Sequence, residues 1–152
     1  MELTRISTDR IGFRYGAMSS IAMIIYFLII NLLGLEHMEE VRFGSHIFII
    51  IGTVLAIGYY KRSHDGHMQY LPGLGIGFLT GLSASFFYAL FIMLYAYLFN
   101  PGYETTLRTQ DYFGAELSPV MLFGGIALLG VAVGAMTGYI FMMLYDNSGG
   151  RD

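Results

Sequence analysis

Long stretches without a charged residue are the feature that most constrains this chain. Eight Lys and Arg and eleven Asp and Glu are spread over 152 positions. Between them lie four windows free of all four residue types, at 15–35, 43–60, 66–103 and 117–145. Charged residues make up 12% of the chain, about half the usual ~25% of a soluble domain. The pattern excludes a soluble globular enzyme and predicts a small membrane protein with several spans.

Each window is long enough to cross a bilayer once as a helix, because a hydrocarbon core of ~30 Å needs about 20 residues. The windows are also continuous and longer than the ~10-residue alternating strands of membrane barrels. We therefore predict an all-α integral membrane four-helix bundle, a single transmembrane domain over residues 1–152. Thr8 or Asp9 is predicted to cap the first helix. The predicted spans are 12–35, 43–60, 72–99 and 118–145.

Lys and Arg are distributed unevenly between the two sides of the predicted bundle. The side with both termini holds six of them, whereas the other side holds Arg42 and Arg108. Cytoplasmic loops carry the excess of Lys and Arg in membrane proteins. This distribution predicts that the N- and C-termini are both cytoplasmic.

The remaining composition narrows the possible chemistry. The net charge is −3 and there is no cysteine. Without a basic stripe, nucleic acid is not an expected partner. Without cysteine, disulfides, thiolate catalysis, Fe–S clusters and Cys-based zinc sites are excluded. No Asp, Glu, Lys or Arg lies at the centre of a predicted span, although intramembrane charges usually mark functional sites. We expect no catalytic residue, no metal site and no cofactor, and hence no enzyme.

Small residues recur at a spacing of four within the predicted spans. Residues four apart lie on one face of a helix, and such faces let helices approach closely in lipid. The favoured interpretation is that these faces pack against one another inside the chain. The alternative is that one stripe faces a partner subunit, and the longest stripe is the first candidate. The stripes are Gly73, Gly77, Gly81, Ser85 and Ala89 in the third span; Gly130, Gly134 and Gly138 in the fourth; Gly12, Gly16 and Ser20 in the first; Gly52 and Ala56 in the second.

Polar groups near or within the spans are the remaining candidates for function. His46 lies inside a predicted span and could bind a metal, a haem or a proton, but a hydrogen-bonded packing residue is the favoured interpretation. His64, Asp65 and His67 could form a weak metal site, but a turn at Asp65-Gly66 is favoured. In an oligomeric channel, a wet path would be lined by Asn31, Thr53, Ser83, Ser85 or Thr137.

One further feature is the order of the motifs. Tyr60-Lys61-Arg62 ends the second span, and a Gly-containing loop, a Gly-rich third span and Asn100-Pro101 follow. This order, from about Gly12 to Tyr145, resembles the DUF4199 family, small four-span membrane proteins of Bacteroidota-type bacteria with no assigned function. Family members usually have a longer, acidic and Met-rich segment between spans three and four, where residues 102–117 are short. The resemblance implies a multi-pass protein of the bacterial inner (cytoplasmic) membrane and carries over no catalytic residue.

These features together predict a non-catalytic structural or accessory subunit packed against a larger membrane complex, respiratory or transport. The alternative is a small oligomeric channel or transporter. The expected partners are the lipid bilayer and either a larger membrane complex or further copies of the chain.

Overall fold

The computed structural model describes residues 7–35, 38–64, 69–99 and 119–148. These residues are almost entirely helical, and none of them forms a strand. Predictions that concern the remaining residues lie outside this part of the chain. They are those on Asp65, Gly66, His67, Asn100, Pro101, residues 102–117 and position 118, the predicted start of the fourth span.

Five α-helices make up the described chain. A 3₁₀ turn at Gly44–His46 joins the second to the third, so that four helical segments are long and apolar enough to cross a membrane. The prediction of an all-α protein with four spans is confirmed. The helices are α1 (Thr8–Leu32), α2 (Glu39–Phe43), α3 (Ile47–Ser63), α4 (Tyr70–Leu98) and α5 (Pro119–Ser148).

The ends of α1 follow local capping rules. Ser7 is extended, and its hydroxyl accepts a hydrogen bond from the Arg10 amide at 3.4 Å, so the prediction that Thr8 or Asp9 caps the helix is wrong. At the other end Gly34 has a φ of +69°, which glycine adopts without steric cost. The Leu35 amide donates to the Ile30 carbonyl at 3.1 Å. This is a Schellman cap, and it ends α1 before the predicted position 35.

Helix α4 holds the bundle together. It packs along both α1 and α5, while α3 contacts α1, α4 and α5. Contacts of Gly12 with Leu79 and of Gly16 with Ser83 show that α1 and α4 run parallel. Helices α3 and α5 run in the opposite direction, as an alternating four-span chain requires. We call the side where α1 begins and α5 ends the terminal side, and the opposite side the far side.

Two buried apolar clusters form the core at different depths. The terminal cluster joins α1, α3 and α4, and the far cluster joins the same helices nearer the other side. Outward-facing side chains are largely apolar on all four spans, as lipid contact requires. The terminal cluster is Ile11, Ala56, Ile57, Tyr60 and Ile76; the far cluster is Met23, Phe27, Ile49, Ala84, Tyr88, Ile92 and Ala96.

Candidate functional site

The small-residue stripes of α4 and α5 face each other directly. A Cβ added to Gly77 would lie 2.6 Å from the Gly134 carbonyl oxygen and 2.8 Å from the Gly138 Cα. A Cβ added to Gly81 would lie 2.5 Å from the Gly130 carbonyl oxygen. In both cases the obstacle is backbone, which cannot rotate away as a side chain can. The two helices therefore touch backbone to backbone, and only glycine fits at these positions.

Two further positions of the α4 stripe also meet α5. Gly73 lies against the Met142 side chain. The Ser85 hydroxyl donates to the Gly81 carbonyl at 2.6 Å and to the Ala127 carbonyl of α5 at 3.1 Å. These positions of the α4 stripe thus pack against α5 within the chain.

The stripe of α1 packs on the other side of α4. A Cβ added to Gly12 would lie 2.6 Å from the Leu79 Cβ, and one added to Gly16 would lie 2.8 Å from the Thr80 carbonyl oxygen. Ser20 is buried and donates to the Ala17 carbonyl of its own helix at 2.7 Å. Here both glycines meet side chains as well as backbone, whereas Gly77, Gly81 and Gly134 in the α4–α5 contact meet backbone alone.

Most of the residues predicted to line a wet path are already hydrogen-bonded. Asn31 donates from its Nδ2 to the Tyr95 hydroxyl, which ties α1 to α4. Ser83 donates to the Leu79 carbonyl at 2.6 Å, and Thr137 to the Val133 carbonyl at 2.7 Å. Serine and threonine commonly make such bonds to the carbonyl four residues earlier in a helix. These groups act as local and interhelical ties.

Thr53 and Thr80 behave differently from the other hydroxyl residues. Both are completely buried, with a relative exposure of 0%. Neither Oγ1 has a hydrogen-bond partner among the described residues. A buried hydroxyl without a partner costs about 1–3 kcal/mol, so each of the two calls for an explanation.

His46 lies in the 3₁₀ turn on the far side and is half-buried. Its Nδ1 is 3.3 Å from the Phe43 carbonyl oxygen and 3.5 Å from the Ser45 hydroxyl. The Nε2 atom is buried and has no partner in the described part of the chain. No group of three or more His, Asp or Glu within the described ranges could hold a metal ion. The prediction that His46 is a hydrogen-bonded packing residue stays a prediction.

The terminal side carries aromatic contacts with charged or titratable groups. The His64 ring stacks on Tyr60 with centroids 4.1 Å apart, and its Nδ1 lies 3.1 Å from the Tyr60 carbonyl oxygen. The Lys61 ammonium lies 4.0 Å from the centre of the Tyr145 ring, a cation–π contact between α3 and α5. His64 is therefore engaged by its own helix.

Two glycines that sequence reasoning did not single out are Gly124 and Gly125, near the start of α5. A Cβ at either would meet nothing within 4 Å. Their position in the helical repeat could have identified them. The residue four before Gly130 is Ile126, which packs against the far cluster, so the glycines at 124 and 125 do not continue the spacing of four. The two glycines are therefore out of step with the buried stripe and point away from the core.

Comparison with known proteins identifies the family but no characterised relative. No curated protein and no solved structure matches the chain. The sequence pattern of the family described as protein of unknown function DUF4199 matches residues 14–143. This match covers nearly all of the four spans, so the chain belongs to the DUF4199 family.

Proposed function

We propose that this protein is a non-catalytic structural or accessory subunit that packs against a larger membrane complex, respiratory or transport. The observation that carries the proposal is that most of α5 is left uncovered by the rest of the chain. Within the 18-residue hydrophobic window of each helix, 17% of the α5 residues are buried inside the chain, compared with 56% of the α4 residues. A helix with so small a buried share has the most surface left for another protein.

The open glycines on α5 support a close helix partner there. Glycine is about 1 kcal/mol less favourable than alanine inside a helix, so it is costly on a face that meets only lipid. Close approach of another backbone offsets that cost in membrane helices. Gly125 is followed on the same exposed face by Leu128, which is 72% exposed, and by Met136, which is 64% exposed. These side chains would flank a partner helix seated at Gly125.

The chemistry of the interior supports a role without catalysis. Within the described residues, the buried polar side chains other than tyrosine are serines and threonines. Most of these with known geometry donate to backbone carbonyls. Such bonds stabilise a bundle and do not create an acid–base pair or a charge relay.

A site-specific photo-crosslinking experiment tests the proposal. A photoreactive residue at Leu128 of α5 is compared with one at Leu55 of α3, which is 56% exposed. We expect a protein adduct in native membranes from position 128 and lipid adducts alone from position 55. Mass spectrometry then identifies the partner. Lipid adducts alone at both positions would contradict an accessory role, and an adduct between two copies of the chain would favour the oligomeric alternative.

A matched pair of glycine variants tests whether the partner sits on Gly125. Gly125→Leu fills the proposed contact, whereas Gly58→Leu changes a glycine of α3 that also has nothing within 4 Å of an added Cβ. We expect the first change to remove most of the adduct from position 128 and the second to leave it intact. Equal effects of both changes would argue against a partner on this face.

We also infer that both termini face the cytoplasm of a bacterium, with the spans in its inner membrane. In the described chain the terminal side holds Arg10, Arg14, Lys61 and Arg62, and the far side holds Arg42. Because the chain has no cysteine, single-cysteine labelling needs no background removal. An impermeant reagent should label Met38→Cys in intact cells and Ser63→Cys only after lysis. The reverse pattern would invert the orientation.

A further inference from the structure

Two buried threonine hydroxyls lie at the same depth of the bundle on contacting helices. Thr53 belongs to α3 and Thr80 to α4, and these helices pack against each other. Both residues are 0% exposed, and neither Oγ1 has a partner in the described part of the chain. Both orphaned hydroxyls therefore belong to this pair of contacting helices.

The positions of the apolar clusters place the two threonines in one layer. On α3, Thr53 lies one turn from Ile57 of the terminal cluster and one turn from Ile49 of the far cluster. On α4, Thr80 lies one turn from Ile76 of the terminal cluster and one turn from Ala84 of the far cluster. Each threonine thus lies between the same two apolar layers.

Contacts through α5 give the same register. Gly130 lies beside Ile49 of α3 and, on α4, beside Ser85 and Gly81. Since α3 and α5 run parallel, Thr53 is level with Gly134, one turn further along. Gly134 in turn contacts Gly77 and Gly81 of α4, the turn that contains Thr80. The two hydroxyls therefore lie within about one helical turn, 5.4 Å, of the same level.

Neighbouring buried hydroxyls make hydrogen bonds, in contrast to those of Thr53 and Thr80. Ser83, Ser85 and Thr137 each donate to the carbonyl four residues earlier at 2.6–2.7 Å. Thr53 and Thr80 have the same option on their own helices, and neither uses it. Because these hydroxyls make no hydrogen bond to their own backbone, they are available to a small molecule between the helices.

We propose that one water molecule binds between α3 and α4 and bridges the hydroxyls of Thr53 and Thr80. A water that makes two hydrogen bonds of about 2.8 Å can join oxygens some 5–5.6 Å apart, and two side chains within about one helical turn of the same level can lie at that distance. Buried waters typically serve polar groups that the protein leaves unsatisfied. The inference does not depend on the proposed accessory role, since it concerns the interior of the bundle.

The chemistry of the site fits water better than a cation. A hard cation takes about six or more oxygen ligands, and the site offers two hydroxyls. The carbonyls of α3 and α4 at this depth are part of continuous helices, so they are held by the helix hydrogen bonds. A neutral molecule that both donates and accepts satisfies the two hydroxyls without further ligands.

The first test uses the unaltered protein in lipid bilayers. Solid-state NMR with magnetisation transfer from water is read at the side chains of Thr53 and Thr80, with Thr137 as the control. Thr137 is buried, and its hydroxyl is bonded to its own helix at 2.7 Å. We expect transfer to Thr53 and Thr80 at least several-fold faster than to Thr137. Equal, slow transfer at all three residues would overturn the proposal.

The second test is a double-mutant cycle of isosteric changes, Thr53→Val and Thr80→Val, read by unfolding in mixed micelles. If one water joins the hydroxyls, each single change leaves a polar group stranded and raises the unfolding equilibrium constant about tenfold. The double change then costs less than the product of the two, because the whole bridge is removed. Single changes that stabilise the protein, or that combine additively, would overturn the proposal.

Controls separate the water site from two neighbouring explanations. Thr137→Val combined with Thr53→Val should be additive, since Thr137 bonds its own helix. Replacing Na⁺ by choline should leave the coupling of Thr53 and Thr80 unchanged, and its loss would assign the site to a cation instead. Coupling without water transfer in the NMR experiment would indicate a direct hydroxyl–hydroxyl bond and would overturn the water site.

Discussion

Glycine has opposite surroundings on two faces of α5. Gly130, Gly134 and Gly138 are pressed against α4, and a Cβ at Gly134 would lie 2.5 Å from the Gly77 carbonyl oxygen. Gly124 and Gly125 lie on the same helix, and an added Cβ there would meet nothing within 4 Å. The residue type is identical, and the difference is the direction in which each position points.

The position of a glycine in the helical repeat, and not the glycine content of the helix, therefore decides which glycines pack inside the bundle. Positions spaced by four keep one face, so the series from Gly138 back to Gly130 stays on α4. The next position in that series is Ile126, which packs on the far cluster. Gly124 and Gly125 fall outside the series and remain on the outer surface.

The largest effect is expected where a bulky side chain enters the closed face. Gly81→Leu would force its side chain into the Gly130 and Gly134 backbone, and overpacking of this kind costs about 3 kcal/mol or more of unfolding free energy. We expect the variant to accumulate poorly and to unfold at much lower detergent concentration. Wild-type accumulation and stability would break the comparison, because the face would then have to be open.

The next effect compares the two faces with the same small change. Gly134→Ala adds one methyl group against Gly81, whose Cα would lie 2.7 Å away, and should cost about 2 kcal/mol. Gly125→Ala meets no atom and should change the unfolding free energy of the isolated protein by less than about 0.5 kcal/mol. The measurement is unfolding in mixed micelles. Similar losses for both variants would remove the distinction between the faces.

A smaller effect sharpens how α5 is held at its end. Lys61→Met removes the ammonium that lies 4.0 Å from the centre of the Tyr145 ring, and a contact of this kind contributes about 0.5–1 kcal/mol. Arg62→Met changes the neighbouring exposed cation and serves as the control. A loss in the first variant alone supports a tie between α3 and α5, whereas equal losses would point to a general charge effect.

The smallest effect concerns α1, whose contact with α4 relies on side chains as well as glycine. Tyr95→Phe removes the hydroxyl that accepts from Asn31 but keeps the ring against Phe27, 5.2 Å away between centroids. Interhelical hydrogen bonds in membrane proteins average about 0.6 kcal/mol, and a loss of that size is expected in the same unfolding assay. Tyr97→Phe, at a residue that is 80% exposed, should have no effect.

The spans were predictable because the interior of a bilayer excludes charged side chains, and the sequence therefore contains long windows without them. Their ends were less predictable, because caps depend on backbone geometry. Asp9 and Arg10 lie in the first turn of α1, and Ser7 before them provides the cap. Short α2 was missed because Glu39–Phe43 carries charged residues and lies largely outside the hydrophobic window.

The candidate site was predictable in part. The spacing of Gly77, Gly81 and Gly134 identified small-residue faces in advance, since spacing alone places residues on a face. The pairing of α4 with α5 was not contained in that spacing, because α1 carries a stripe of the same kind. The orphaned hydroxyls of Thr53 and Thr80 could not be distinguished from those of Ser83 or Thr137, which belong to the same residue types and lie in equally apolar segments.

The sequence by itself determined that four apolar helices cross a membrane, because uncharged windows of that length have no other stable state in lipid. It also determined which residues share a helix face, because helical periodicity is local. Only the tertiary structure decided that the stripe of α4 meets α5, that Gly124 and Gly125 stay open, and that two threonines lie unpaired in one layer. These facts depend on which helices pack together and in what register, and such contacts join residues far apart in the chain.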